Sequence, residues 1–174
     1  VLLGDYLFAK AGEFAATTGN LRVITLFAQT LQIISSGELK QSFNAFNLEQ
    51  TRDHYLDRIS SKTASLFSLA TESGAILSQA PEESIQILKE YGYNLGIAFQ
   101  IVDDLLDFIG TEEEMGKPIG SDLAQGTLTL PAMLLLEQEP KENPVRELFN
   151  THDMPEEAKQ KKIKQAIELV RSSS

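Results

Sequence analysis

The chain lacks three features that would point to other functions: cysteine, an excess of positive charge, and long apolar runs. Without cysteine, disulfides, thiolate nucleophiles and cysteine-ligated zinc sites are excluded, and the composition suits a reducing compartment such as the cytoplasm. The formal net charge of -10 argues against a general affinity for nucleic acid or anionic membranes, so any anionic substrate must be met by local cations. No apolar run reaches the roughly 18 to 20 residues of a membrane-spanning helix.

Helical periodicity is what the sequence offers instead. Apolar residues recur three or four positions apart, and no stretch shows the alternation of a strand. Helices are predicted over 19–46, 51–79, 82–108, from about 128, and over 155–171, with 110–126 as a glycine-rich polar loop. Pro81, followed by Glu82 and Glu83, marks the start of the third of these helices. The prediction is an all-α fold, an antiparallel helical bundle, formed by a single domain over 1–174.

The segment GIAFQIVDDLLDFIG (96–110) places three carboxylates in a nearly apolar helix. Asp103 and Asp107 are one turn apart on the same face, with Asp104 beside them. Two carboxylates about 4 Å apart repel by roughly 4 kcal/mol at an effective dielectric near 20, so such a cluster needs cations or protons. Magnesium prefers carboxylate oxygens and completes its shell with water and substrate phosphates, which favours it as the ligand. Taken alone, however, three acids on a helix are more often a solvated face.

A longer pattern around these aspartates is far more specific. The chain resembles the trans-prenyl diphosphate synthases, whose second aspartate-rich region reads G-x-x-F-Q-x-x-D-D-x-x-D. Every specified position is filled here, by Gly96, Phe99, Gln100, Asp103, Asp104 and Asp107. Further segments resemble the family in the expected order: LLGDYLFAKA (2–11), SGELKQ (36–41), YLDRISSKTASLF (55–67) and MGKPIGSDLAQGTLTLP (115–131). The resemblance runs from residue 1 to about 140, and more weakly to the end.

The resemblance implies both a fold and a reaction. Members of this family are all-α proteins of the isoprenoid synthase type, usually homodimers. They condense isopentenyl diphosphate with an allylic diphosphate to give a longer trans-polyprenyl diphosphate. Magnesium, with manganese as the alternative ion, assists ionisation of the allylic diphosphate, and condensation and proton elimination follow. By resemblance, Asp103 and Asp107 bind the metal directly, and Asp104 is the third metal-binding and catalytic candidate.

Four further residues are implied to meet the diphosphate. Lys62, Thr63 and Gln100 match positions that contact the allylic diphosphate. Lys117 matches a lysine that reaches it from a loop. These residue types suit the chemistry, because fixed cations and hydrogen-bond donors stabilise the negative charge that grows on the leaving diphosphate. Lys62 is therefore also a candidate catalytic residue.

Packing expectations attach to a few other residues. Glycine inside a helix costs about 1 kcal/mol relative to alanine, so Gly92 and Gly96 are expected to let another backbone or a substrate come close. Phe99 is expected in the core, and Tyr55 is given a packing role only.

Departures from the family pattern limit what this chain is expected to do alone. The first aspartate-rich region would lie before residue 1, so the chain is expected to be a slice of a longer protein, incomplete at both ends and inactive by itself. Thr127 stands where many short-chain members place a lysine, which favours a medium- or long-chain product.

Two other functions stay open. The chain could belong to a non-catalytic partner subunit of a heteromeric synthase, although the intact aspartates argue against it. It could also belong to a terpene cyclase of the same fold, which ionises the same kind of substrate without adding an isopentenyl unit. An acidic cluster ahead of Val1 in the encoded protein would discriminate against the partner subunit, and dependence of the reaction on isopentenyl diphosphate would discriminate against the cyclase.

Overall fold

The computed structural model describes residues 1–116, 118–139, 143–151 and 153–173. Within these ranges every regular element is helical, which confirms the all-α prediction. The elements are α1 (Leu2–Thr17), α2 (Leu21–Phe43), α3 (Arg52–Ile59), a π-helical turn (Ser60–Ala64, called the π turn below), α4 (Ser65–Leu77), α5 (Glu82–Ile109), α6 (Glu112–Met115), α7 (Ser121–Ala124), α8 (Leu130–Gln138), α9 (Pro144–Asn150) and α10 (Glu156–Ser172). No helix in the described residues is long and apolar enough to cross a membrane.

The chain forms two compact units. The first comprises Val1–Glu38 and Ile59–Ala98, and the second comprises Leu39–Arg58 and Phe99–Ser174. A small apolar cluster forms the core of the first unit, made of Val23, Ala75, Ile76 and Ile85 with Leu26 and Ala80 packed against it. None of the residues of helix α1 is buried. The single domain predicted over 1–174 stays a prediction.

The second unit has a core built around α10, which packs against α7, α8 and α9. Its apolar stripe is Ile163, Ala166 and Ile167, at the three- and four-residue spacing of a helix face. The predicted helix over 155–171 is thus confirmed. Helix α9 was not predicted, although its start carries an ordinary signal: Asn143 caps it through the Val145 amide at 2.9 Å.

Two predicted segments differ from the structure. The predicted loop over 110–126 contains the one-turn helices α6 and α7, which are too short to show a period in the sequence. The predicted continuous helix over 51–79 is interrupted by the π turn. A π turn inserts one extra residue, so the buried face shifts after it. Tyr55 before it is buried as expected, whereas Leu66 after it is 46% exposed.

Candidate active site

The carboxyl-terminal part of α5 buries two of its acids and exposes several of its apolar residues. Asp104 is only 4% exposed and Asp107 only 1%, whereas Phe99 is 55% exposed. A solvated face is therefore ruled out for Asp104 and Asp107, and the prediction of a core position for Phe99 was wrong. Buried carboxylates are costly without compensating contacts, so the surroundings of each one decide what it does.

Gln100 joins two of the aspartates. Its Nε2 donates to Asp103 Oδ2 at 3.1 Å and to Asp104 Oδ1 at 2.8 Å. The spacing of three and four residues places all three side chains on one helix face, as the sequence predicted. A single amide thus holds two mutually repelling carboxylates side by side. Asp103 is the more accessible of the two, because it is half-buried.

Asp104 lies against two side chains of α3. Burial raises the pKa of the Asp104 carboxyl, while Gln100, Tyr55 and the positive charge of Arg58 oppose that rise. Burial, together with the nearby Asp104 charge, raises the pKa of the Tyr55 phenol. The Tyr55 phenol and the Asp104 carboxylate interact electrostatically, and the Tyr55 hydroxyl and Asp104 Oδ2 are both buried without a geometric hydrogen-bond partner in the described part of the chain. Asp104 therefore keeps one oxygen with unused acceptor capacity.

Arg58 is held in place beside this pair. Its guanidinium donates to the Leu128 carbonyl at 2.9 Å and lies 5.3 Å from the centre of the Tyr55 ring. Desolvation lowers the pKa of Arg58, and the carboxylate of Asp104 works against that change. The fixed positive charge partly balances the buried carboxylate.

Asp107 has a different set of contacts. Its Oδ1 accepts from Ser121 Oγ at 2.9 Å and from the Ser121 amide at 3.3 Å, and its Oδ2 accepts from the Asp122 amide at 3.0 Å. Its backbone carbonyl also accepts from the Gly120 amide at 2.8 Å. Asp107 thus ties the first residues of α7 to the end of α5. Lys117, the predicted loop lysine, lies outside the described residues.

The π turn carries Lys62 and Thr63. The Ser65 amide donates to the Ser60 carbonyl five residues back, which is the bond that defines π geometry. Regular propensity rules do not predict such a turn, and π turns are frequent at functional sites. Thr63 is half-buried, and the Lys62 side chain is 48% exposed.

Two glycines pack against the π turn at backbone distance. A Cβ on Gly96 would lie 2.5 Å from the Ala64 Cα, and a Cβ on Gly37 would lie 3.0 Å from the Ser61 Cβ. A Cβ on Gly92 would likewise meet the Phe67 carbonyl oxygen at 2.6 Å. The predicted close approach at Gly92 and Gly96 is confirmed, and the neighbour is backbone. These close contacts therefore fix the position of the π turn.

Lys62 is paired with an acid that the sequence did not single out. Its Nζ lies 2.7 Å from Glu38 Oε1, and the Glu38 side chain is 45% exposed. Glu38 follows Gly37 directly in the SGELKQ segment. Lys62 and Thr63 belong to the first unit, and Gln100 and the aspartates belong to the second.

Metal binding by the aspartates stays a prediction. Among the described residues, no group of three or more acidic, histidine or cysteine side chains converges in a way that could hold a metal ion. The donor set still fits a hard cation, since Asp104 Oδ2 is an unpartnered buried oxygen and Asp103 is accessible. Asp107 fits less well, because its oxygens already accept from α7.

Several residues at this site were missed or given too small a role. Tyr55 does more than pack, because its hydroxyl faces Asp104. Arg58 follows it by three residues, which puts both on one face of α3 and was a readable signal. Glu38 and Ser121 act through contacts with residues that are distant in the sequence, which no local spacing predicts.

Comparison with known proteins identifies the fold class. A polyprenyl synthase from Caulobacter crescentus CB15, crystallised with calcium and isoprenyl diphosphate, superposes with a TM-score of 0.91 at 34% identity, covering 99% of this chain and 52% of that one. Solanesyl-diphosphate synthase 2 from Oryza sativa is 42% identical over 99% of this chain and 41% of its own length. Heptaprenyl diphosphate synthase component 2 from Geobacillus stearothermophilus is 43% identical over 78% of this chain and 42% of its own length. The fold is the all-α isoprenoid synthase fold.

The family follows from a match over nearly the whole chain. A family profile described as Polyprenyl synthetase matches residues 1–170, and the chain belongs to that family. It spans about two-fifths to one half of the length of the relatives named above.

Proposed function

We propose that this chain is part of a trans-prenyltransferase that condenses isopentenyl diphosphate with an allylic diphosphate to give a longer trans-polyprenyl diphosphate. The observation that carries the proposal is the amide-bridged carboxylate pair on α5, Asp103 and Asp104, in a chain that belongs to the Polyprenyl synthetase family. The solanesyl and heptaprenyl synthases among its relatives support a prenyl diphosphate product. A medium or long chain length agrees with those names and with Thr127.

The aspartates are proposed to hold magnesium, or manganese in its place. Asp103 and the free oxygen of Asp104 would supply carboxylate oxygens, and Asp107 is the third proposed ligand. When bound, the cation supplies Lewis-acid stabilisation of the leaving diphosphate. The calcium and isoprenyl diphosphate in the C. crescentus structure support a divalent cation and a prenyl diphosphate as ligands of the fold.

The residues of the chain itself have separable tasks in this proposal. Gln100 keeps Asp103 and Asp104 together, and Arg58 limits the cost of burying Asp104. The Tyr55 phenol, whose pKa is raised, stays neutral beside Asp104. This neighbourhood therefore holds its carboxylates in a fixed arrangement before any ligand arrives, and such preorganisation lowers reorganisation cost in the reaction.

Lys62, Thr63 and Lys117 are proposed to contact the allylic diphosphate, and Gln100 is the fourth candidate. The ammonium of Lys62 offers a compact point charge on a flexible stem. Because the chain carries a net charge of -10, such local cations are required to attract a polyanion. Charge grows on the diphosphate as the allylic bond ionises, so a cation placed there stabilises the transition state more than the ground state.

The experiment uses the full-length protein with farnesyl diphosphate and labelled isopentenyl diphosphate, with and without magnesium. The expected result is magnesium-dependent elongation, and the chain lengths of the products identify the enzyme further. Absence of elongation by a folded protein, with other allylic primers also tried, would contradict the proposal. Ionisation without uptake of the isopentenyl label would instead indicate a terpene cyclase.

The assembly is proposed to be a homodimer. Leu88, Tyr91 and Leu95 form an exposed apolar stripe on α5, with 38%, 57% and 42% of their surfaces accessible. Exposed apolar stripes of this kind mark interaction surfaces. The second candidate is a subunit of a heteromeric synthase, which the relative named as component 2 supports. Elongation by the purified protein alone would decide between them. A cytoplasmic location is part of the same proposal.

A further inference from the structure

The ion pair between Lys62 and Glu38 is short but accessible. The Nζ–Oε1 distance is 2.7 Å, and the two side chains are 48% and 45% exposed. An exposed pair of this kind contributes little to stability, because water competes for both partners. Its partners can therefore be exchanged without much cost to the fold.

Close packing at Gly37 sets the position of Glu38. The preceding residue, Gly37, lies so close to the π turn that a Cβ on it would be 3.0 Å from the Ser61 Cβ. This contact brings α2 against the segment that carries Lys62. The carboxylate consequently reaches the lysine from a fixed point on a neighbouring helix.

We propose that Glu38 is the resident counter-ion of Lys62, which it holds until a diphosphate displaces it. The inference rests on the proposed function, in which Lys62 contacts the allylic diphosphate. A diphosphate carries several negative charges, so it attracts the Lys62 ammonium more strongly than a single exposed carboxylate does. Glu38 is thus a positioning residue that acts through Lys62 and weakens diphosphate binding, which helps the diphosphate product to leave.

The test is the Glu38→Gln variant of the full-length protein, titrated with inorganic pyrophosphate in the presence of magnesium by calorimetry. The variant is expected to bind pyrophosphate about two- to five-fold more tightly than the wild type, since the exposed pair no longer competes. The gain should shrink as salt rises, because salt screens exposed pairs. Equal or weaker binding by Glu38→Gln would overturn the inference.

Helix α1 offers a matched control. Glu13 pairs with Lys10 at 2.6 Å, and those side chains are 57% and 41% exposed. The Glu13→Gln variant makes the same charge change in the same kind of pair. It should leave the affinity for pyrophosphate unchanged. A gain equal to that of Glu38→Gln would mean that net charge alone is responsible, against the inference.

A double-mutant cycle with Lys62→Met shows whether Glu38 acts through the lysine. The gain in pyrophosphate affinity from Glu38→Gln should vanish when Lys62 is already methionine. In a separate variant that keeps Lys62, Glu38→Asp should retain part of the ion pair, so its affinity should lie closer to that of the wild type. A gain that persists without the lysine would overturn the inference while leaving the proposed function standing. If Lys62→Met binds pyrophosphate as the wild type does, the role proposed for Lys62 is wrong, and the inference falls with it.

Discussion

The end of α5 and the π turn hold their charged side chains in opposite ways. On α5, the carboxylates of Asp104 and Asp107 are buried and fixed by the contacts of the side chains themselves. At the π turn, the backbone is fixed by Gly37 and Gly96, while the side chain of Lys62 stays half exposed. The difference separates carboxylates that are held by their own contacts from a lysine side chain that is held by one exposed ion pair.

The largest effect is expected when the anchor at the end of α5 is removed. The Asp107→Ala variant leaves the amides of Ser121 and Asp122 and the Ser121 hydroxyl without their acceptor. Hydrogen bonds to a charged group are worth about 1.5 to 3 kcal/mol, so the free energy of unfolding should fall by roughly 3 kcal/mol. Urea denaturation of the full-length protein without divalent cations measures this loss.

The matched variant for that experiment is Asp103→Ala. Asp103 is half-buried and contacts Gln100 at 3.1 Å, so its loss should lower the free energy of unfolding by about 1 kcal/mol or less. Both variants should lose activity under the proposed function. Equal stabilities for the two variants would show that Asp107 does not anchor α7, and the contrast between the two aspartates would be lost.

The next largest effect is expected at the close contact that fixes the position of the π turn. A Cβ at Gly96 would lie 2.5 Å from the Ala64 Cα, which is backbone that cannot rotate away. The Gly96→Ala variant should therefore lower the free energy of unfolding by about 2 kcal/mol, as overpacking does. Under the proposed function it should also raise the KM for the allylic diphosphate, since the backbone bearing Lys62 and Thr63 shifts.

Gly74 is the control for this substitution. It lies in α4 with no atom within 4 Å of a built Cβ. The Gly74→Ala variant should raise the free energy of unfolding by roughly 0.5 to 1 kcal/mol, because alanine loses less entropy in a helix. If Gly96→Ala is as stable as Gly74→Ala and its KM is unchanged, the π turn is not seated by that contact.

A smaller effect is expected at the very end of α5, where Arg171 of α10 meets the helix. Its Nε donates to the Phe108 carbonyl at 2.8 Å, and a terminal nitrogen donates to the Gly110 carbonyl at 2.9 Å. A cation at this end also favours the helix dipole. The Arg171→Ala variant should lower the unfolding free energy by about 1 kcal/mol, with Arg171→Lys intermediate, because lysine keeps the charge without the planar fork. Equal losses for both variants would mean that the charge contributes nothing.

Regular structure was the part of the fold that the sequence predicted well. Pro81 and the acids after it located the start of α5, and the glycine spacing of Gly92 and Gly96 located a close approach. Both signals are local, so they survive without knowledge of the tertiary packing. The missed helix α9 also had local signals, in the cap Asn143 and the proline that follows it.

The sequence failed where tertiary contacts reverse a local rule. Periodicity assigns aspartate to the surface and phenylalanine to the core, yet Asp107 is 1% exposed and Phe99 is 55% exposed. The burial of Asp107 is accompanied by donors from α7, which lie about fourteen residues away in the chain. The π turn was missed because π turns are rare and regular propensity rules do not predict them. The aspartates were identifiable by motif and Arg58 by its spacing from Tyr55, whereas Ser121 was not identifiable from any local spacing.

The smallest effect is expected at an exposed ion pair, and its contribution to stability should depend on pH. The Arg22 fork donates to both oxygens of Glu82 at 2.7 and 2.8 Å, and these hydrogen bonds lower the pKa of Glu82 from 4.5 to about 2. A carboxyl whose folded pKa is depressed stabilises the fold above its unfolded pKa, and that contribution disappears as pH falls through the folded pKa. The Glu82→Gln variant should therefore melt below the wild type at pH 7, by a small margin because the pair is exposed. The two melting temperatures should converge between pH 4.5 and about pH 2.

Glu83→Gln, in the same first turn of α5, makes the same charge change without removing the acceptor of Arg22. A pH-independent difference for Glu82→Gln, or an equal one for Glu83→Gln, would show that the ion pair does not set the stability of this end of α5.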